Sequence, residues 1–449
     1  MIRLAAKRGE TTYVCALDAS KAFDKVNRNI LMVKLRDKMD DASWKSLQQY
    51  YSDSHAFVNN NGKSSARFRT TVGVKQGGPC SPLLFSIYSE ELIEKIQRSG
   101  CGIKIGNMVI GIVCFADDVL LITTRADEMQ TMLKICEDYG RETQITWNPT
   151  KTVFCRFGRG NKRNIGQLRF CGEVLEEEET FRYLGVLLSN NFRCEKHIMS
   201  RIAKSSYAVH KLMESGTKSK QMDIYLKVAL YKTFVRPVLV YGMSTSYLSK
   251  KDQQLAQRSE AKMLKRIAGV SRRTRNTGLL NALKVEKLRD KLDLEKSKLF
   301  MQLYRNDLTR ELMEFAANNE KIAVKRGKWT NFVCEIMEIC SRVRKENAEA
   351  QQEQRMTEFS MVGETTMYDR MESTTCMANQ SRFVPCMEML LMEAKSTVEI
   401  LAVKKKKDFS GGVAETIRYL LTRSENKLEN KTLIENLLKA FDRKEIEET

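Results

Sequence analysis

Two apolar segments that lie far apart in this chain both end in aspartate, and this pattern constrains the fold more than any other feature. Residues 11–18, Thr-Thr-Tyr-Val-Cys-Ala-Leu-Asp, are β-branched and apolar and predict a buried strand that ends at Asp18. The apolar runs 108–115 and 119–122 flank an Asp-Asp pair, which predicts a hairpin with acidic residues at its tip. If the strands are neighbours in one sheet, the acids come together.

Helical patterns occur between and after these strands. Pro-Cys-Ser-Pro predicts a helix with Ser81 as its N-cap and a stop at Gly100. A helix over 128–139 leads into a predicted strand around Ile145 and Trp147. The order strand, helix, hairpin, helix, strand indicates an α+β fold, with helices on one face of an antiparallel sheet.

The second half of the chain predicts helices. The apolar spacing gives helices over three ranges, the last with a Ser249/Asp252 capping box and Gly269 as its stop: 197–213, 222–235 and 250–268. Residues 345–380 are rich in Glu, Gln, Met, Ser and Thr and predict a stretch of low order. A Lys404–Lys407 run and a final amphipathic helix over 427–441 follow.

These patterns predict three regions: an α+β region over 1–190, a basic helical region over 191–300, and a helical C-terminal region over 301–449. The formal net charge is +20, and residues 151–300 carry 32 basic and 14 acidic side chains, whereas residues 1–150 carry 20 and 17. Such a concentration is typical of a surface that binds a polyanion, although well-solvated helices give the same composition.

Composition also argues against several functional classes. None of the 12 cysteines forms a C-x-x-C pair, and the three histidines are scattered, so we expect reduced thiols rather than disulfides or a zinc site. The longest apolar stretch, 108–116, is too short to span a bilayer. The N-terminus lacks the apolar core of a secretory signal. We therefore expect an intracellular protein, in the nucleus or cytoplasm, without a membrane partner.

An acid at a strand end beside an acid pair on a hairpin is what two-metal phosphoryl transfer requires. Two Mg²⁺ ions roughly 3.5–4 Å apart can hold the attacking and leaving oxygens of a displacement. Carboxylates are the oxygen ligands that such hard cations prefer. Asp18, Asp117 and Asp118 are the candidate ligands. An Asp-Asp pair alone is more often an ordinary turn, so the pair needs further support.

Three motifs in order supply that support: Asp18-Ala-Ser-Lys-Ala-Phe23-Asp24, then Gly73-Val-Lys-Gln76-Gly77-Gly-Pro-Cys-Ser-Pro, then Phe115-Ala-Asp117-Asp118. They resemble motifs A, B and C in the palm of reverse transcriptases, and their residues resemble those of the non-LTR (LINE-like) retrotransposon branch. Asn148-Pro-Thr-Lys151 resembles motif D, and Tyr183-Leu184-Gly185 lies in a segment that resembles the primer grip, motif E. The resemblance covers roughly residues 11–275.

The resemblance implies a role for each matching residue. Asp18, Asp117 and Asp118 would bind two Mg²⁺ ions, which Mn²⁺ could replace. Phe23 would exclude a 2′-hydroxyl, Gln76 and Gly77 would lie against the nascent base pair, and Lys151 could protonate the leaving pyrophosphate. Tyr183, Leu184 and Gly185 would direct the primer 3′ end. From spacing alone, Phe23 would be a helix core position, and Gln76 and Gly77 would form a turn before a helix. Lys151 would be an exposed lysine at a strand edge, and residues 183–185 would belong to a hairpin.

The basic middle third follows the primer grip, where this family places an all-α thumb that holds the template–primer duplex. The candidate phosphate contacts there are Lys262, Lys265, Arg266, Arg272, Arg273 and Arg275. The family also carries a fingers region and an endonuclease upstream of motif A. Only about a dozen residues precede that motif here, so we expect an N-terminally truncated member.

The resemblance implies an RNA-directed DNA polymerase, with an RNA template, a DNA primer and deoxynucleoside triphosphates as partners. The alternative is a catalytically inactive nucleic-acid-binding remnant that uses only the basic helical region. An RNA-templated RNA polymerase would share the acidic site but fits poorly with Phe23 and with Phe115-Ala-Asp-Asp.

Overall fold

The structure is a computed structural model that describes residues 1–158, 166–219, 221–318 and 332–361, with 392, 394–396 and 398. It divides into two units, Met1–Arg193 and Cys194–Thr449, which are described separately below. Over the described ranges, none of the helices combines the length and the apolar character that a membrane span needs.

The first unit mixes strands and helices. Its helices are α1 (Ile2–Lys7), α2 (Arg28–Leu35), α3 (Asp41–Ser52), α4 (Ser81–Arg98) and α5 (Ala126–Thr143). Its strands are β1 (Thr12–Leu17), β2 (His55–Ala56), β3 (Asn59–Asn60), β4 (Lys63–Ser64), β5 (Phe68–Arg69), β6 (Ile103–Ile105), β7 (Met108–Ile110), β8 (Ile112–Phe115), β9 (Asp118–Thr123), β10 (Val153–Phe157), β11 (Arg169–Phe170), β12 (Glu173–Val174), β13 (Thr180–Tyr183) and β14 (Val186–Ser189).

A four-stranded antiparallel sheet lies at the centre of this unit, in the order β10-β1-β9-β8. The central pair aligns Cys15 with Leu121 and Leu17 with Val119. Because side chains alternate between the faces of a strand, these four residues share one face. That face packs in one core with buried side chains of α2, α4 and α5. The predicted α+β architecture, with helices on one face of an antiparallel sheet, is confirmed.

Two strand predictions need correction. The strand expected around Ile145 and Trp147 is absent, and only an isolated bridge joins Trp147 to Ala19. The last strand of the sheet is instead β10, which pairs with β1 after the chain has turned through residues 148–152. The run 108–115 is not one strand, since β7 pairs with β6 and only β8 belongs to the main sheet.

The second unit is helical in its described part. Its helices are α6 (Glu195–Leu212), α7 (Ile224–Leu230), α8 (Arg236–Val240), α9 (Lys250–Ala268), α10 (Asn276–Ala282), α11 (Leu288–Arg305), α12 (Asp307–Asn318) and α13 (Phe332–Met361). Two π-helical segments, Met213–Thr217 and Tyr231–Val235, extend α6 and join α7 to α8.

Helix α9 begins and ends as the sequence predicts. The Ser249 hydroxyl accepts from the Asp252 backbone N–H, the Asp252 carboxylate accepts from the Ser249 N–H, and Gly269 is left-handed, with φ 67°. Helix α13 covers the first part of the 345–380 stretch. The rest of that stretch, Lys404–Lys407 and the predicted 427–441 helix lie outside the described residues. The three-region division stays a prediction.

Candidate active site

The backbone register brings three aspartates to one end of the central sheet. Leu17, the last residue of β1, is paired with Val119, so Asp18, which directly follows the strand, lies next to Asp118, the first residue of β9. Strand β9 is joined to β8 by a hairpin in which Phe115 pairs with Asp118, and Asp117 lies in the two-residue turn. Asp18 and Asp118, which are 100 positions apart in the sequence, therefore meet because their strands are neighbours.

The turn that carries Asp117 has an unusual backbone. Its first residue, Ala116, has a φ of 51°, in the left-handed region that side chains with a Cβ rarely adopt. Two-residue hairpins favour left-handed residues because their twist then matches that of the strands. The hairpin thus accepts a strained alanine at the point where it presents the acids, which is typical of functional sites.

The three carboxylates form an acidic cluster to which the described residues supply no counterion. Partial burial, followed by the negative charges of Asp117 and Asp18, raises the pKa of Asp118 above its ordinary value. In the described part of the chain, none of the three carboxylates makes a hydrogen bond or salt bridge with a cationic side chain. The site therefore concentrates negative charge that no described side chain neutralises.

The chemistry of this cluster bears on whether it can hold a divalent cation. Among the described residues, no group of three His, Cys, Asp or Glu side chains forms a ready-made cage for an ion. Mg²⁺ at polymerase sites is held by one or two carboxylates, with waters and substrate phosphates completing the shell. An uncompensated, partly exposed carboxylate cluster offers the oxygen ligands that such a hard cation prefers, with access for the waters that complete its shell.

Phe23 lies close to Asp18 in the chain and is held firmly. It starts a short 3₁₀ helix, Phe23–Lys25. Its ring stacks on that of Phe85 of α4, with centroids 4.9 Å apart, and Phe85 is buried. The Phe23 ring itself is half-buried at the edge of the core. A ring fixed in this way can act as a rigid wall.

The segment that contains Gln76 is hydrogen-bonded to the segment that contains Phe23. The Val74 N–H donates to the Phe23 carbonyl and the Gly73 N–H to the Val26 carbonyl, both at 2.8 Å. Gln76 Nε2 donates to the Asp24 carboxylate, also at 2.8 Å. Motifs A and B, far apart in sequence, are therefore one structural piece.

Two glycines of this segment differ in their surroundings. Gly73 has a φ of 83°, and a Cβ there would lie 2.6 Å from the Asp24 carbonyl oxygen, so no other residue fits. Gly77 has a φ of 74°, and its added Cβ would meet nothing within 4 Å. The space beside Gly77 is open, as the predicted approach of a base pair requires.

The prediction for Ser81 was wrong. Ser81 is the first residue of α4, and its hydroxyl donates to the Lys75 carbonyl at 2.5 Å instead of capping the helix. Cys80 is in the N-cap position and makes no side-chain cap. The hydroxyl ties the helix start back onto the glycine-rich turn.

Lys151 lies in a turn that is attached to the strand of Asp18. The Asn148 N–H donates to the Asp18 carbonyl at 2.8 Å, and the Asn148 carbonyl accepts from the N–H groups of Lys151 and Thr152. Lys151 is exposed. The turn thus holds an exposed lysine near the acidic strand end.

Tyr183, Leu184 and Gly185 form the end of the β13–β14 hairpin. Leu184 and Gly185 are left-handed, with φ values of 46° and 71°, as in a type I′ turn. The Tyr183 hydroxyl donates to the carbonyl of Val113, on the strand that leads to Asp117, at 3.5 Å. Burial, then Cys114 and Asp118, raises the pKa of Tyr183 to about 12. This hairpin therefore lies beside the acidic one.

The predicted basic residues of the second unit lie at the end of α9 and just after it. Five of them are exposed: Lys262, Arg266, Arg272, Arg273 and Arg275. Lys265 is the exception and corrects the prediction for that residue. It is buried, and its ammonium group donates to the Arg272 carbonyl at 3.0 Å, so its charge closes the helix end instead of facing solvent.

The first unit matches a known protein family. The profile of the family described as reverse transcriptase (RNA-dependent DNA polymerase) matches residues 2–188. Residues 2–188 are a reverse transcriptase domain. The matched range contains every predicted site residue of the acidic cluster, of motifs A to D and of the primer-grip hairpin.

The relatives that this chain resembles come from mobile elements. The chain is 25% identical over 300 residues to the RNA-directed DNA polymerase from mobile element jockey of Drosophila funebris, covering 64% of this chain and 32% of that protein. It is 26% identical over 275 residues to a Pol polyprotein of a type-1 retrotransposable element of Popillia japonica, covering 58% and 44%. The chain thus spans less than half the length of these relatives.

One further relative and one solved structure complete the comparison. The chain is 31% identical over 263 residues to a Pol polyprotein of a type-2 retrotransposable element of Drosophila melanogaster, covering 56% of this chain and 24% of that protein. A telomerase structure from Candida tropicalis matches with a TM-score of 0.33 and 10% identity, over 65% of this chain and 48% of that one. That score supports no structural conclusion.

Sequence reasoning missed two residues that organise the candidate site. Asp24 accepts the Gln76 amide, and Arg28 joins the end of α3 to the start of motif B. The Arg28 guanidinium donates to the carbonyls of Gly73 at 2.9 Å and Tyr51 at 3.0 Å. The only signal for Asp24 was its place in motif A, and nothing in the sequence singles out Arg28.

Proposed function

We propose that this chain is the polymerase part of a non-LTR retrotransposon protein, which adds deoxynucleotides to a primer 3′ hydroxyl on an RNA template. The observation that carries the proposal is the convergence of Asp18, Asp117 and Asp118 at one sheet end, with no counterion among the described residues. Such a cluster costs stability through charge repulsion, so it is best explained by a cationic ligand.

Asp18, Asp117 and Asp118 would hold the metal ions. Two bound Mg²⁺ ions would supply charge stabilisation for the attacking and leaving oxygens. The protein's own contribution is to hold the carboxylates on a rigid hairpin and a strand end before the substrate arrives. Mn²⁺ should substitute, since it shares the preference for oxygen ligands.

The neighbouring residues would position the substrates. Phe23, braced by Phe85, would form the wall under the sugar and exclude a 2′-hydroxyl. Gln76, held by Asp24, and the open side of Gly77 would lie against the nascent base pair. Lys151 could donate a proton to the leaving pyrophosphate, and the Tyr183–Gly185 turn would direct the primer end.

The second unit would bind the template–primer duplex. From Ala261 to Val285 the sequence has no acidic residue, and this range includes the five exposed basic side chains named above. None of these five side chains makes a salt bridge with a described residue. Such side chains bind phosphates and give affinity without sequence preference.

Primer extension tests the catalytic proposal. The full chain, an RNA template with a DNA primer, deoxynucleoside triphosphates and Mg²⁺ or Mn²⁺ should yield extended products. Asp117→Asn should reduce extension at least about a hundredfold, because metal-ion stabilisation is worth several kcal/mol. Asp127→Asn, a surface aspartate paired with Arg125, is the matched control and should be as active as the unmodified chain.

Duplex binding separates loss of chemistry from loss of folding. Asp117→Asn should bind a template–primer duplex as tightly as the unmodified chain. If neither protein extends a primer while both bind duplex in a salt-sensitive way, the polymerase proposal fails and a nucleic-acid-binding remnant is left.

Charge reversal tests the role of the second unit. Lys262→Glu with Arg266→Glu should weaken duplex binding and reduce the slope of log affinity against log salt by about 0.9 for each phosphate that is no longer bound. Lys250→Glu, at the other end of α9, is the matched control. An unchanged slope would show that these residues form a solvated face.

Sugar selection tests the role of Phe23. Phe23→Val should increase the use of ribonucleoside triphosphates relative to deoxynucleoside triphosphates, by roughly 10- to 200-fold if the ring is the steric barrier. An unchanged preference would leave Phe23 as a packing residue only.

A further inference from the structure

The segment between α3 and motif B carries several large apolar side chains that are exposed to solvent. Residues 54–72, which we call the arm, include four large apolar side chains that are about half exposed or more: Phe57 (53%), Val58 (59%), Phe68 (49%) and Val72 (55%). None of these contributes to the core of the first unit. Several large apolar side chains exposed within one short segment indicate a surface that contacts another molecule.

The arm is an ordered hairpin. Strand β2 pairs with β5 and, further out, β3 pairs with β4. Asn61 and Gly62 at the tip are both left-handed, with φ values of 50° and 81°, which is the Asn-Gly type I′ turn. The Val58 carbonyl accepts from the Ser65 N–H at 2.8 Å between the two strand pairs.

Arg28 fixes the base of the arm to the polymerase motifs. Its guanidinium donates to the carbonyl of Tyr51 before the arm, and to the carbonyls of Thr70 and Gly73 at its end. It also lies over the Tyr51 ring, 4.9 Å from the centroid. The arm therefore projects from a rigid base that is shared with the Gly73–Gln76 segment.

The charge of the arm indicates what it contacts. Between Asp53 and Glu90 the sequence contains no acidic residue, and the arm carries Lys63, Arg67 and Arg69. In the part of the chain that the structure describes, neither the Lys63 nor the Arg67 side chain makes a hydrogen bond or salt bridge. Both are exposed. The arm thus combines exposed phenylalanine rings with positive charge that no described residue neutralises.

We infer that the arm binds a single-stranded segment of the RNA template beside the active site, an inference that rests on the proposed polymerase function. Single-stranded nucleic acid is bound by aromatic rings that stack on bases and by basic side chains that contact the backbone. Phe57 and Phe68 supply the rings, and Lys63 and Arg67 the charges. A phosphate backbone repels acidic side chains, whereas a protein partner does not require their absence. The lack of acidic residues around the arm therefore favours nucleic acid over a protein.

Direct binding tests this inference without requiring catalysis. The probe is a labelled 20-nucleotide RNA without secondary structure, measured by fluorescence anisotropy with the full chain. Phe57→Ala with Phe68→Ala should raise the Kd at least tenfold, because each base that stacks on an aromatic ring contributes strongly. Lys63→Gln with Arg67→Gln should reduce the salt slope by about 0.7 for each phosphate that is no longer bound.

Matched controls come from equally exposed residues elsewhere. Tyr225→Ala removes an aromatic ring that is 55% exposed in the second unit, and Lys45→Gln removes an exposed lysine of α3. Both should leave the Kd and the slope unchanged. Cross-linking with 5-iodouridine in the RNA should map to peptides from 54–72, which separates the arm from the basic surface of the second unit.

The outcomes separate the arm from the polymerase proposal. If the arm variants bind the RNA with Kd values and slopes within twofold of the unmodified chain, or cross-links fall outside the arm, the inference is overturned. The exposed apolar side chains of the arm would then indicate a protein partner, whether or not primers are extended. If the unmodified chain extends no primer but the arm variants lose RNA binding, single-stranded RNA binding by the arm stands and the proposed polymerase function fails.

Discussion

Each unit of the chain contains a cluster of acidic side chains, and the two clusters are built in opposite ways. In the first unit, Asp18, Asp117 and Asp118 lie together at a sheet end with no described cationic partner. In the second unit, Arg236 lies between Glu260 and Glu286, with a 2.8 Å contact to each carboxylate. One cluster is half exposed and unbalanced, and the other is buried and paired.

The buried cluster shows how a protein stabilises charge that serves only structure. Arg236 and Glu260 are almost fully buried, and Arg236 also donates to the Glu286 carbonyl. The Tyr231 hydroxyl donates to Glu260 at 3.3 Å, from the π-helical segment before Arg236. Burial acts to raise the pKa of Glu286, but Arg236 and then Lys232 outweigh it, so that pKa lies below its ordinary value.

The difference teaches where to look for function. The second unit shows that charged side chains in this protein can be neutralised by partners of opposite charge. The aspartate cluster at the sheet end has no such partner among the described residues. In that cluster, burial and then the negative charges of Asp117 and Asp18 raise the pKa of Asp118. Charge that is unpaired in the described residues therefore indicates a ligand, and charge that is paired indicates architecture.

The largest expected effect comes from breaking the paired cluster. Arg236→Met should lower the free energy of unfolding of the second unit by about 3–5 kcal/mol, because it leaves two carboxylates without their cation. Denaturant unfolding measures this. Arg258→Met, at an exposed position of α9, should change it by no more than about 0.5 kcal/mol. Equal effects in both variants would show that the buried pairs add nothing.

Replacing the whole cluster sharpens that result. Arg236→Met combined with Glu260→Leu and Glu286→Gln should recover most of the stability lost in Arg236→Met, since uncharged groups of similar size replace buried ion pairs at little cost. The same unfolding measurement applies. A triple variant as unstable as the single one would mean that packing, and not the uncompensated charge, causes the loss.

The opposite sign is expected in the unpaired cluster. Asp117→Asn relieves repulsion and should raise the free energy of unfolding by up to about 1 kcal/mol, the scale of exposed charge interactions, while primer extension is lost. Asp127→Asn removes an exposed pair with Arg125 and should not stabilise. A destabilised Asp117→Asn chain would contradict the view that the acids repel one another.

The smallest effect is a pH dependence with a defined sign. The folded-state pKa of Asp118 is raised, so ionised Asp118 opposes folding at neutral pH, and this cost disappears as pH falls through that pKa. Asp118→Asn should therefore be more stable than the unmodified chain at pH 7, and the difference should shrink on acidification towards pH 4. Thermal unfolding of the two proteins side by side measures it. A difference independent of pH would exclude ionisation as its cause.

The sequence by itself determined the local elements and the identity of the acidic residues. Strand β1, the helix α9 with its Ser249/Asp252 box and Gly269 stop, and the hairpin with acids at its tip all follow from short-range rules of capping, turn chemistry and alternation. The motifs also indicated the reverse transcriptase family, because the candidate catalytic residues lie in short contiguous sequence motifs.

Only the tertiary structure decided which distant residues meet. Strand pairing brings Asp18 to Asp118, and hydrogen bonds across the fold join Gln76 to Asp24 and place Arg28 at the base of the arm. Local patterns also misplaced the last strand of the sheet and left Lys265 on the surface, where the fold buries it. Burial and pairing are set by contacts between segments remote in sequence, so composition and spacing carry too little information to predict them.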